Sequence, residues 1–211
     1  VHPTDPRDEV TRLLALPALE VGPRLLGSVF RVGEVAVRLT EVEAYHGQGQ
    51  DPGSHAHRGP TPRNASMFRG GGTLYVYLSY GIHRCVNIVC GPEGYASGLL
   101  LRAGEVVDGL EVARSRRATA KSDSELAKGP GRLGSALDIG LGDDGSRLGE
   151  GRFSLELPVG DVGEVVAGPR VGVSGRAGTD EFPWRFTLAG EPSVSTWRPA
   201  ARRGGGASER W

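Results

Sequence analysis

The chain has 211 residues, 38% hydrophobic and 24% charged, with 25 basic and 25 acidic side chains and a formal net charge of zero. That is an ordinary globular balance, long enough for one domain with a substantial core, and no apolar run reaches the roughly 20 residues of a membrane span. Two cysteines, Cys85 and Cys90, make no disulfide framework, and Val1 to Arg7 has no apolar signal-like core, so a soluble intracellular, cytoplasmic protein is expected.

Thirty-four glycines and 14 prolines divide the chain into short elements, and long helices are not expected. Asp8 to Leu16 reads as a short helix closed by Pro17. Val29 to Val32 and Val35 to Glu43 read as two strands joined at Gly33–Glu34. In the second, Val35, Val37, Leu39, Glu41 and Glu43 alternate with Ala36, Arg38, Thr40 and Val42. His46 to Gly72 is a polar loop. Thr73 to Tyr80 and Arg84 to Cys90 form a hairpin bent at Tyr80–Gly81, and Leu99 to Ala103 is a further strand. Leu110 to Ala127 carries helical spacing, and Gly129-Pro130-Gly131 opens a short helix through Ala136, with Pro130 suited to a helix start. Phe153 to Leu157, Val171 to Val173 and Trp184 to Leu188 read as short strands. Ala200 to Trp211, with three consecutive glycines, reads as a flexible tail. This order predicts a single α+β domain around a largely antiparallel sheet.

Charge distribution says more than charge sum. Pro52 to Pro92 contains no Asp or Glu, yet holds Arg58, Arg63, Arg69 and Arg84 with His55, His57 and His83. A second basic cluster runs from Arg114 to Arg132. Such a face can grip a polyanion locally; scattered solvated arginines would give the same composition.

Four groups of residues carry chemistry. Glu43, at a strand end beside Tyr45, and His55 in the following loop could hold and deprotonate a water, though an exposed Glu and a loop His are common. Tyr75 and Tyr77 share a strand face by period two, and Tyr80 sits near the hairpin tip. The three can serve as a stacking wall and a wedge that unstacks bases, or as two core tyrosines and a turn residue. Lys128, Gly129, Gly131 and Arg132 put cations and free N–H groups at a helix start, a place that binds phosphate. His46, His55, His57 and Glu43 could instead bind a metal, but no HExxH motif or Cys/His cluster supports one. No GxGxxG, P-loop or GxSxG motif is present.

Taken in order, these segments resemble the alkyladenine DNA glycosylases, also called 3-methyladenine or methylpurine DNA glycosylases. The likeness rests on Glu41-Val42-Glu43-Ala44-Tyr45, Ser54-His55-Ala56, Arg58-Gly59, Thr61-Pro62-Arg63-Asn64, Met67-Phe68 and Leu74-Tyr75-Val76-Tyr77. It continues through Tyr80-Gly81, Cys85-Val86-Asn87, Leu99-Leu100-Leu101-Arg102-Ala103, Gly129-Pro130-Gly131-Arg132-Leu133 and Pro169-Arg170-Val171-Gly172-Val173, and ends with Pro183-Trp184-Arg185-Phe186 and Val194-Ser195.

The resemblance implies a glycosylase domain over residues 1–195, with a curved sheet, flanking helices, a protruding hairpin that enters DNA, and a tail over 196–211. It implies that Glu43 activates the water attacking the sugar C1′, with Arg102 and adjacent main-chain groups holding both. Tyr45 and His55 would pack on one side of a flipped base and Tyr77 on the other, while His55 would also bond the base edge. Asn87 would line the pocket and reject guanine, and Tyr80 would fill the vacated stack. Arg58, Arg63, Arg84, Lys128, Gly129, Gly131 and Arg132 would touch the DNA backbone. The partner implied is double-stranded DNA with an alkylated or deaminated purine, acted on by a monomer without cofactor or metal, at the nucleoid in a bacterium. Lys121 and Lys128, the two lysines, lie far from Glu43 in sequence, so no lyase step is expected. Two rival classes remain: a DNA-binding module without catalysis, and a metal-dependent hydrolase.

Overall fold

The computed structural model describes residues 6–201, and the expected tail beyond residue 201 lies outside them. Four helices and nine strands form one α+β unit: α1 Pro6–Leu14, α2 Ala18–Leu25, β1 Val29–Val32, β2 Val35–Tyr45, β3 Leu74–Ser79, β4 His83–Cys90, β5 Ser97–Asp108, α3 Leu110–Arg116, β6 Ala127–Lys128, α4 Pro130–Ala136, β7 Phe153–Glu156, β8 Val165–Gly168 and β9 Arg185–Leu188. The sheet runs β3-β4-β5-β2-β1-β7, with β6 paired to β5 and β9 bridging β2 and β8. Every pairing is antiparallel. No helix among the described residues is long and apolar enough to cross a membrane.

Several elements differ from expectation, among them β5, which runs Ser97–Asp108 rather than Leu99 to Ala103, and the unexpected short strands β6 and β8. Helix α2 was not foreseen, because Gly22-Pro23 reads as a break. It persists because Ala18, Val21, Gly22 and Leu25 are buried, and because the Ser97 hydroxyl accepts the Ala18 N–H at 2.9 Å. Burial and capping outweigh propensity here. The helix expected over Leu110 to Ala127 stops at Arg116, since the chain must turn back to lay Ala127 and Lys128 on Gly104 and Ala103 of β5. The strand expected at Val171 to Val173 is a turn: Gly172 has φ +69°, and the Val171 N–H is spent on a carboxylate rather than a sheet neighbour. The strand that pairs with β9 lies upstream, as β8.

The sheet has two chemically different faces. One carries the core: Leu74 and Val76 of β3, Val86, Ile88 and Cys90 of β4, Leu99 and Leu101 of β5, Val42 and Ala44 of β2, and Phe186 and Leu188 of β9. The other carries Tyr75, Tyr77, Cys85, Asn87, Arg102, Glu41, Glu43 and Arg185, as strand alternation requires.

On β2 this parity is reversed part-way along. Val35, Val37 and Leu39 belong to the core, so strict alternation would send Glu41 and Glu43 there too. Register shifts prevent it. Leu39 pairs with Gly104, Glu41 with Ala103 and Val42 with Leu101, so Thr40 on β2 and Arg102 on β5 are each left without an opposite residue. A bulge inserts one residue and re-aims the side chains that follow. Here two facing bulges switch both strands together and bring Arg102 alongside Glu41 and Glu43.

Helix α4 lies flush on β4. A Cβ on Gly134 would sit 2.2 Å from the Arg84 carbonyl oxygen, and one on Gly131 would meet the His83 ring at 2.8 Å. Replacing Gly134 by Ala therefore sets two effects against each other. Helix propensity favours Ala by about 1 kcal/mol, whereas overpacking costs about 1–3 kcal/mol. Because the obstructing atom is backbone, overpacking should win. Urea titration of Gly134→Ala should show a lower midpoint with an unchanged slope, and a raised midpoint would contradict the packing described.

Candidate active site

Glu43 lies in mid-sheet, flanked on β2 by Leu100 of β5 and Arg185 of β9, and is fully buried. Its carboxylate is held at both oxygens. Oε1 accepts the Val171 N–H at 2.7 Å. Oε2 accepts the Tyr45 hydroxyl at 2.9 Å and an Arg102 terminal N–H at 3.4 Å. Burial, then the nearby Glu43 charge, pushes the Tyr45 phenol well above its ordinary value, so Tyr45 keeps its proton and donates it.

Arg102 is shared between two acids. Its Nε donates to Glu41 at 2.7 Å, and its other terminal nitrogen to the Ser195 hydroxyl at 3.4 Å. Burial opposes its charge, but Glu43 and Glu41 more than offset this and raise its pKa. Glu41 is itself fully buried and collects donors from Arg102, from Arg185 Nε at 2.8 Å, and from the Ser195 N–H and hydroxyl at 2.7 and 2.9 Å. Burial raises its pKa, but the two guanidiniums outweigh burial and hold it below the ordinary carboxylate value.

The aromatic members stand around this cluster. Tyr75 and Tyr77 stack, with ring centroids 5.4 Å apart and planes 22° apart. His55 meets Tyr77 edge-on at 4.6 Å, and its Nδ1 lies 3.0 Å from the Tyr75 hydroxyl. Burial of its inner edge, then the Arg63 charge, lowers the His55 pKa and favours the neutral ring. Burial pushes the Tyr75 phenol up to about 12. Asn87, opposite Tyr75, is buried and donates to the Tyr75 carbonyl at 3.0 Å. Glu43, Tyr45, His55, Tyr77, Asn87 and Arg102 thus share one face of the sheet and the loop above it. His46 and His57 do not join them as ligands: His46 packs edge-on against Tyr95 and Trp184, and no group able to hold a metal occurs among the described residues.

Tyr80 stands apart, 89% exposed at the β3–β4 turn with Ile82 beside it at 69%. Ile82 N–H bonds the Ser79 carbonyl at 3.1 Å, and Tyr80 and Gly81 have φ +50° and +73°, the positive angles of a tight hairpin turn. Arg58, Arg63, Arg84 and Arg132 are exposed. Arg63 donates to the Leu78 carbonyl near the turn at 3.2 Å, and Lys128 Nζ to the Pro192 carbonyl at 2.7 Å. Gly131, against His83, sets the start of α4 beside the hairpin.

Reading residue types singly missed Glu41, Asp51 and Arg185. Asp51 is buried in a doubly bonded ion pair with Arg170, at 2.6 and 2.7 Å, and also accepts the His46 and Gly53 N–H groups. Asn64 ties the same loop by donating to the His55 and Gly59 carbonyls and accepting the Thr61 N–H. The available signal was an Asp and an Asn in a loop of 27 residues with little regular structure, side chains that readily bond nearby backbone.

Comparison with known proteins places the chain in a family. Residues 12–192 match the family model described as methylpurine-DNA glycosylase. The chain belongs to this family. Three bacterial relatives, each provisionally named 3-methyladenine DNA glycosylase, are similar over most of their length. The Leifsonia xyli protein is 53% identical over 189 residues, covering 86% of this chain and 88% of its own. The Nocardia farcinica protein is 52% identical over 194 residues (89% and 90%), and the Streptomyces avermitilis protein 47% over 210 (93% and 97%). Membership makes the chain a hydrolase of the DNA glycosylase class, a DNA repair enzyme.

The lowered Glu41 pKa has a pH signature. A group whose folded pKa is depressed stabilises the fold above its unfolded value, near 4.5, and loses that contribution as pH falls through the folded value. Glu41→Gln should lower unfolding free energy by about 3 kcal/mol or more near neutral pH, because buried charges lose a partner. Chemical denaturation at several pH values should show this gap constant above pH 5 and narrowing below 4.5. A gap that widens on acidification would contradict the assignment.

Proposed function

We propose that the chain flips damaged purines, 3-methyladenine and deaminated purines among them, out of duplex DNA and hydrolyses their N-glycosidic bond. One observation carries the proposal: a buried carboxylate, Glu43, oriented at both oxygens by fixed donors and lying beside two aromatic walls.

Chemistry at C1′ needs the nucleotide out of the stack, at a cost of a few kcal/mol. Tyr80, exposed between arginines, fills the gap it leaves, as inserted side chains do in minor-groove proteins. The extruded base lies between Tyr45 on one side and Tyr77 on the other; the His55 ring, 4.6 Å from that of Tyr77 in the free protein, leaves no room for a base between those two and instead bonds the base edge. Each aromatic contact is worth about 1–3 kcal/mol, enough to offset extrusion together with phosphate contacts from Arg58, Arg63, Arg84, Lys128, Arg132 and the Gly129–Gly131 backbone. An alkylated purine is electron-poor, so it favours tyrosine faces and leaves readily. Asn87 borders the base edge and excludes the exocyclic amino group of guanine.

Water held by Glu43, with Arg102 and main-chain groups alongside, attacks C1′ as the bond to the base nitrogen breaks. The bonding pair departs with the base, which leaves neutral when it is a cationic alkylated purine and takes a proton from water when it is a deaminated one; Glu43 takes the proton of the attacking water, and the products are free base and an abasic sugar. The Glu43 carboxylate, whose partner Arg102 is drawn mainly to Glu41, also stabilises the cationic character of the sugar at the transition state. All the groups needed come from one chain, consistent with a monomer acting on the nucleoid in the cytoplasm.

Duplex DNA treated with a radiolabelled methylating agent tests the proposal. Wild type should release 3-methyladenine with EDTA present. Glu43→Gln should still bind lesion DNA while cleaving at least about a hundredfold more slowly, the share a general base supplies. Near-wild-type cleavage by Glu43→Gln would remove the base from its role. Loss of wild-type activity in EDTA would favour a metal-dependent hydrolase, and lesion binding with no release would favour a binding module.

A further inference from the structure

We propose that Arg170 is a positioning residue, holding two of the donors that fix the Glu43 carboxylate. This rests on Glu43 acting as the base. Arg170 makes no hydrogen bond to Glu43. It is fully buried, and its terminal nitrogens make four bonds: one to the Ala44 carbonyl at 3.0 Å, two to the Asp51 carboxylate at 2.6 and 2.7 Å, and one to the Ala177 carbonyl at 3.1 Å. Burial opposes its charge, but the bonds it donates to Asp51, together with the charges of Asp51 and Glu43 and the nearby Tyr45, outweigh burial and raise its pKa.

Both donors depend on this guanidinium. The Val171 N–H, on Oε1, belongs to the next residue in the chain, so the peptide that carries it is anchored by the Arg170 side chain. The Tyr45 hydroxyl, on Oε2, belongs to a ring that lies 4.4 Å from the Arg170 guanidinium carbon. Trp184 is 5.2 Å from the same carbon, and its carbonyl accepts the Ala44 N–H, which completes the support of β2 beside Tyr45. Through Asp51 the pair also fastens the loop that carries His55. One planar cation therefore sets the base, one face of the aromatic sandwich and the entry loop in register. A lysine supplies charge but neither the fork nor the plane. Simple stabilisation would not require the pair to sit between both donors of the same carboxylate.

The test uses Arg170→Lys and Asp51→Asn in the full chain, each first shown to be folded by circular dichroism. Single-turnover release of 3-methyladenine from methylated duplex DNA should fall about a hundredfold, as expected for a misplacement near 1 Å, while lesion-DNA affinity, to which Tyr45 and the His55 loop contribute, falls by a smaller factor. The Val171 amide, assigned in 15N-labelled protein by the shift it undergoes in Glu43→Gln, should move in both variants. Arg170→Lys and Tyr45→Phe should combine less than additively, because they act on one carboxylate. The proposal is overturned by a folded variant that keeps the wild-type Val171 resonance and cleavage rate, by affinity falling as far as the rate, or by neither variant folding. If wild type releases no 3-methyladenine, the proposed function fails, and the Val171 resonance still decides whether Arg170 holds the donor.

Discussion

The site depends on two strands changing phase at the same point. Thr40 on β2 and Arg102 on β5 are each one residue too many for the ladder. The paired bulges carry Glu41 and Glu43 from the core side, where Leu39 lies, to the opposite face. Without them two carboxylates would enter an apolar core unpaired, which a fold of ordinary stability does not survive. With them, Glu41, Glu43, Arg102 and Arg185 form one buried cluster. Arg102 and Arg185 both bond Glu41, which leaves Glu43 with a looser 3.4 Å contact to Arg102. Glu41 thus takes most of the cationic charge, and Glu43 is held chiefly by the neutral Val171 N–H and Tyr45 hydroxyl.

A second constraint is the loop from His46 to Gly72. It has almost no regular structure beyond a short 3-10 turn at Ala65–Phe68, yet His55 must hold its angle to Tyr77. Three devices stiffen it. Asp51 locks onto Arg170, Asn64 gathers three backbone groups, and Ala56 and Met67 pack with Tyr75, Val89 and Ala96 in a small second core on the polar face. The loop is therefore held against the polar face by the protein's own contacts, with His55 fixed beside Tyr77.

Much of this is legible in the sequence. Period-two alternation gives the β3–β4 hairpin, and with it the shared face of Tyr75, Tyr77 and Asn87. Gly129-Pro130-Gly131 marks α4. The family motifs bring Glu43, Arg102 and His55 together although they are up to 59 residues apart. Alternation along β2 fails at Thr40, because a bulge leaves no mark in hydrophobic pattern: Val35, Val37, Leu39, Glu41 and Glu43 read as one face and occupy two. Helix α2 is hidden by Gly22-Pro23, since its stability comes from tertiary burial. Val171 looks β-branched and extended, but its N–H serves a carboxylate 128 residues away, which no local signal encodes. The Asp51–Arg170 pair, 119 residues apart, is equally invisible to local reading.

The central claim is that the polar face of the sheet, with Glu43 already set, receives a base extruded from duplex DNA. A crystal structure of Glu43→Gln bound to a duplex with one alkylated purine tests it most directly. The damaged base should lie between Tyr45 and Tyr77 with His55 at its edge, Tyr80 in the vacated stack, and Val171, Tyr45 and Arg102 within about 0.5 Å of their positions in the free protein, the tolerance of a preorganised site. A base still stacked in the helix, or bound away from this face, would contradict the account.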